Sequence, residues 1–108
     1  MRAGLLVVVV LGLSVVNASA QGSVDKGMKV FAESKCSMCH SIDGKGNAKG
    51  PLDSVGAKLK ADEIREWIVN PAEMTKKANA DRKPPMRAYA NMPKDDLDAL
   101  VAYLGSLK

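Results

Sequence analysis

Cys36, Cys39 and His40 are the only cysteines and the only histidine in this 108-residue chain, and they stand together as Cys36-Ser37-Met38-Cys39-His40. On a helical turn, thiols three residues apart lie on one side with the imidazole beside them. This is the spacing of covalent c-type haem attachment, in which each sulfur forms a thioether to one porphyrin and the histidine reaches the iron. The rest of the chain must then fold as a container for one such group. The competing readings of the pair are a disulfide, a thioredoxin-like redox site and half of a zinc site. Zinc takes about four nitrogen or sulfur ligands, so a second chain would have to complete it. A redox pair does not require the histidine, and no βαβ pattern surrounds this one.

The N-terminus points the same way. Met1-Arg2 supplies a short positive start, Leu5 to Val16 an apolar run, and Ala18-Ser19-Ala20 the small-residue pattern of leader cleavage. The expected organisation is a signal peptide over residues 1–20 and one mature domain over 21–108, exported to the periplasm. The apolar run holds Gly12 and Ser14 and falls short of the ~20 residues that span a bilayer, so no stable membrane insertion is expected once the leader is removed.

A mature domain this small lies near the lower limit of independent stability and needs a staple. A covalent haem supplies a large apolar plate for short helices to pack around, and the apo-protein is expected to fold poorly. Cleavage removes Arg2 alone among the charged residues and lowers the formal charge from +4 to +3. Two haem propionates would bring it close to +1. With few aromatic residues to stack bases, nucleic-acid binding is not expected.

Residues 23–32 read as an amphipathic helix with Ser23 as its cap and Val24, Met28 and Phe31 at helical spacing. Gly27 in its interior costs about 1 kcal/mol against Ala, which suggests a close crossing by another helix. The segment 43–51 is a loop by composition. Its Gly-Lys pairs lack the following Ser or Thr of a phosphate-binding loop, and Gly50-Pro51-Leu52 forms a corner that can bring a carbonyl to the second nitrogen of His40. A second helix covers 61–70, with Ile64, Trp67 and Ile68 facing inward and the Trp67 indole N–H available to a haem propionate. A short helical turn is expected over 71–77, an irregular segment through Pro84-Pro85, and a final helix after Pro93 with Leu97, Leu100, Val101 and Leu104 on one face. No segment alternates as a strand does, so the fold class is all-α, with about four short helices around one haem.

With one histidine, a second axial ligand from this chain is methionine. Met28 and Met38 lie too close to the proximal side, and Met74 is in or beside a helical turn. Met86, in a proline-led loop able to wrap the far face, is the better placed candidate; Met92, at the entrance to the last helix, is the alternative.

Nearly all of residues 24 to 105 resembles a small class I bacterial cytochrome c. The resemblance rests on Asp25-Lys26-Gly27 and Phe31 ahead of the Cys pair, on Gly50-Pro51-Leu52, and on Glu66-Trp67-Ile68 before Asn70-Pro71. It continues in Met86-Arg87-Ala88-Tyr89 and in Asp96 to Leu104. It implies one haem c on Cys36 and Cys39, with His40 and Met86 on the iron and Met92 in an apolar role. Pro51, Leu52, Trp67 and Tyr89 would complete the haem site, the Pro51 carbonyl holding His40, with Gly27 and Phe31 packed near Tyr103. Arg87 departs from the family pattern, which often has Pro directly after the axial Met. The expected function is a soluble periplasmic one-electron carrier and not an enzyme. The rival readings are a gas-binding or sensory module and a subunit of a larger oxidoreductase. The expected partners are redox proteins, approached by a monomer whose cations Lys45, Lys49, Lys76, Lys77, Arg82, Lys83 and Arg87 would meet an acidic docking face.

Overall fold

Helix α1 (Ala18–Glu33) ends where Lys35 takes a left-handed conformation (φ 58°), which turns the chain into a single 3-10 turn, Cys36–Met38. The computed structural model describes residues 18–108, with Gly4 and Gly12 ahead of them; the charged start and apolar run of the expected leader lie outside the described residues. Helices α2 (Val55–Lys58), α3 (Ala61–Val69), α4 (Pro71–Ala78) and α5 (Lys94–Gly105) follow. Among the described residues the domain is small and helical, with five helices, in keeping with the expected four or so; the single turn of α2 is too short to announce itself by periodicity. A two-residue antiparallel ladder, β1 (Ser41–Ile42) with β2 (Lys45–Gly46), closes the loop after His40. It corrects the strand-free expectation, being too short to carry an alternating pattern.

The core forms where α1, α3 and α5 meet. Val30, Phe31, Ile64, Ile68, Leu97, Leu100, Val101 and Leu104 form one buried cluster. At the α1–α5 crossing Gly27 is buried, and a β-carbon there would collide with the Ala99 carbonyl oxygen and lie 2.5 Å from Tyr103 Cβ. Phe31 meets Tyr103 edge to face, with ring centroids 6.0 Å apart. Two expectations for this helix change. Met28 is 51% exposed, and the buried stripe is Gly27, Val30 and Phe31. Because α1 already begins at Ala18, Ser23 lies inside the helix and does not cap it.

The other boundaries follow local chemistry. Glu63 accepts the Lys60 backbone N–H (3.0 Å) at the start of α3, and Pro71 opens α4, where its missing N–H costs nothing. Asp95 and Asp96 occupy the first turn of α5, where they complement the helix dipole. Asp96 pairs with Lys26 of α1 (3.5 Å). Asp98 accepts from Lys94 (2.6 Å) and from Arg65 of α3 (2.7 Å), and these bonds hold its carboxyl below the usual range. Pairs this exposed are screened by solvent, so they orient the helices more than they stabilise them. Among the described residues no helix is long and apolar enough to cross a membrane.

Candidate functional site

The 3-10 turn Cys36–Met38 places both cysteines and His40 in the wall of one cavity of about 670 Å³. The turn is held by its own backbone, Cys39 N–H (3.1 Å) and His40 N–H (2.9 Å) both donating to the Cys36 carbonyl. Asn47 fastens it from outside. Its N–H lies 3.0 Å from the Ser37 carbonyl and 3.1 Å from that of His40, and its side-chain amide donates to the Met38 carbonyl (3.1 Å). The sequence reading missed Asn47, although an Asn in a glycine-rich loop is a recognisable source of such local bonds. Gly46, at φ 107°, is required beside it: a side chain there would strike the His40 carbonyl oxygen.

His40 Nδ1 lies 3.0 Å from the Gly50 carbonyl oxygen. A carbonyl only accepts, so Nδ1 carries the hydrogen and Nε2 keeps a free lone pair for a metal. Burial lowers the His40 pKa; the Gly50 bond opposes that shift, and the positive charge of Arg82 adds to it. The neutral, ligand-competent ring is therefore favoured. The acceptor is Gly50 and not Pro51. Ser41 N–H donates to the Gly50 carbonyl and Leu52 N–H to the Ser41 carbonyl, a bridge that turns the Gly50 oxygen toward His40 and the Pro51 oxygen away. Pro51 is exposed and lies outside the cavity wall.

Burial pushes the Cys36 thiol up to about 11, with a smaller contribution from Cys39. A dithiol–disulfide catalyst needs a lowered thiol pKa, so this environment does not suit one. The two cysteines are not joined in a disulfide. Among the described residues no three His, Cys, Asp or Glu side chains gather into a metal-ion site.

The structure brings most of the remaining expected residues to the same cavity. Leu52, Trp67, Met86 and Tyr89 line it, together with Phe31, Ile64, Ile68, Leu100 and Leu104 from the core. Met92 does not line it; it packs against the core, its N–H on the Tyr89 carbonyl (3.2 Å). Tyr89 closes the segment that carries Met86. Its N–H donates to the Ile68 carbonyl and its hydroxyl to the Ser34 carbonyl, both at 2.9 Å. The charged residues of the wall are all cations: Lys49, Arg82, Lys83 and Arg87, as expected, and Lys35 in addition. Lys45, Lys76 and Lys77 lie outside it. The cavity thus offers two thiols, an imidazole nitrogen and a thioether in an apolar pocket with a basic mouth, a donor set that suits one flat, metal-bearing, anionic ligand.

A family model described as cytochrome c matches residues 24–108. The chain is also 33% identical over 93 residues to cytochrome c oxidase subunit 2 of Alkalihalophilus pseudofirmus, an alignment covering 78% of this chain and 25% of that protein. It therefore spans about a quarter of the length of that relative. No solved structure matches.

Proposed function

This chain belongs to the cytochrome c family, a membership that supports a general, non-catalytic role in electron transfer, and from it we propose a soluble periplasmic one-electron carrier holding one haem c. The reading is carried by the convergence of Cys36, Cys39, His40 and Met86 on a single, largely apolar cavity. The residues fit the group. Cys36 and Cys39 would bond it covalently, His40 Nε2 and Met86 Sδ would hold the iron, Leu52 and Tyr89 would pack on the ring, and the Trp67 indole would meet a propionate. The bound haem supplies one-electron exchange at its iron. The chain excludes water with its core leucines and isoleucines and fixes the imidazole through Gly50. In this reading residues 1–20 are a leader removed on export and the mature protein is a monomer.

Absorption spectra of the purified protein, oxidised, reduced and reduced under CO, test the proposal. A weak red band of methionine-ligated ferric haem and little CO binding are expected. Ready CO binding would favour the sensory alternative. The haem should also stay with the chain through denaturation and acidified organic solvent. Cys36→Ala or Cys39→Ala should leave one thioether and a less stable product, and haem that extracts freely from the wild type would count against covalent attachment.

The cationic mouth supports a partner with an acidic face, met by steering more than by tight binding. Electron transfer to such a partner should slow as salt rises toward a Debye length of about 8 Å. Reversing Lys83 and Arg87 should slow it more than reversing Lys108, whose ammonium donates to the Gly56 carbonyl (3.0 Å) away from the cavity wall. A rate indifferent to salt would remove the steering role. The likeness to part of an oxidase subunit favours a second reading, a domain equivalent working within a larger oxidoreductase. The native mass of the protein extracted from its cell separates the two, the free carrier running at the mass of its own chain.

A further inference from the structure

The segment that carries Met86 is held in an unusual way. From residue 81 to residue 88 its backbone makes no hydrogen bond to any other segment among the described residues; the neighbouring bonds are Ala80 N–H to the Thr75 carbonyl and Tyr89 N–H to the Ile68 carbonyl. Side chains must position it between these two points. Arg87 spends its guanidinium on a neighbour, over the Tyr89 ring at 5.7 Å. Arg82 reaches further. Its guanidinium lies so close to Gly50 that a β-carbon on Gly50 would overlap it, and that same β-carbon would come within 2.9 Å of His40 Nδ1. Gly50 is also the residue whose carbonyl receives the His40 N–H. A guanidinium nitrogen of Arg82 thus occupies the space that a Gly50 side chain would fill, which brings the Met86 segment against the peptide that orients the imidazole.

We propose that Arg82 is a positioning residue, a clamp that fastens the Met86-bearing segment onto Gly50 and so couples the placement of Met86 to that of His40. The inference rests on the haem-carrier reading above and deepens it by naming what holds the sixth ligand in place. Two consequences follow from the geometry. Releasing the clamp raises the fraction of molecules in which the segment stands open, and an added ligand that competes with Met86 then binds more tightly in proportion to that fraction. Removing the charge also withdraws a cation from the neighbourhood of His40, which would hold the iron of a bound haem, and where it would favour the reduced form.

Two substitutions separate these effects in the haem-loaded protein. Arg82→Gln keeps a planar amide but neither the reach of the guanidinium nor its charge; Arg82→Lys keeps the charge without the guanidinium. Free imidazole, titrated into the ferric protein and followed by loss of the methionine-ligation band, should bind both variants about tenfold more tightly than the wild type. Electron partition against a reference couple should move about threefold toward the oxidised form in Arg82→Gln and stay at the wild-type value in Arg82→Lys. Imidazole affinities within about twofold of the wild type in both variants would overturn the clamp. A wild-type protein that binds haem but lacks the methionine band would instead overturn the assignment of Met86, and the clamp with it.

Discussion

On the proposed haem-carrier reading, Met86→Ala should remove the methionine-ligation band of the oxidised protein, lower its reduction potential and raise the affinity of the reduced protein for CO about a hundredfold or more, because the competing thioether would be gone. Met92→Leu should leave all three unchanged. The contrast follows from where the two side chains lie. Met86 lines the cavity that holds Cys36, Cys39 and His40, whereas Met92 packs on the core outside it. Leucine conserves the volume of Met92 and should cost less than about 1.5 kcal/mol in stability. Loss of the band in Met92→Leu with retention in Met86→Ala would reverse the assignment. Absorption spectra and CO titration of the two variants settle it.

The second large effect lies at the helix crossing. Gly27→Ala should destabilise the haem-loaded protein by about 2 kcal/mol or more, even though alanine is the better helix former by about 1 kcal/mol. The obstacle is backbone: the added methyl meets the Ala99 carbonyl oxygen, and next to it Tyr103 Cβ, so α1 and α5 must move apart. Separation would also disturb the Phe31–Tyr103 contact and the Lys26–Asp96 pair across the same interface. Denaturant unfolding followed by circular dichroism measures the loss. A variant more stable than the wild type would mean that the crossing is looser than the structure has it.

What the sequence made legible depended on how local the governing physics is. The face of α5 was readable because Leu97, Leu100, Val101 and Leu104 repeat at helical spacing and all four are buried. In α1 the same rule chose Met28 and passed over Val30, because hydropathy counts a methionine as interior and a glycine as neutral. The deciding fact is that α5 approaches at Gly27, which rotates the buried stripe toward Val30. The gathering of the Cys pair, His40, Leu52, Trp67, Met86 and Tyr89 was foreseeable from motif and resemblance. The acceptor for His40 was misplaced by one residue, since only the three-dimensional bridge between Ser41 and Pro51 tells which carbonyl faces the ring. Asn47 and Arg82 act across loops, on the Cys turn and on Gly50, and no periodicity encodes contacts of that kind.

Phe31, Ile64, Ile68, Leu100 and Leu104 belong both to the buried cluster and to the wall of the cavity. Much of the buried interior is thus shared with the cavity wall, with Val30, Leu97 and Val101 packed apart from it. If the proposed haem is attached there, a chain that missed attachment would keep these apolar side chains facing a hole and should open easily to proteases. On that reading, attachment and conformational integrity would become one event. On the haem-carrier reading proposed above, the protein would carry its own quality control, the molecules that survive after export being those already loaded.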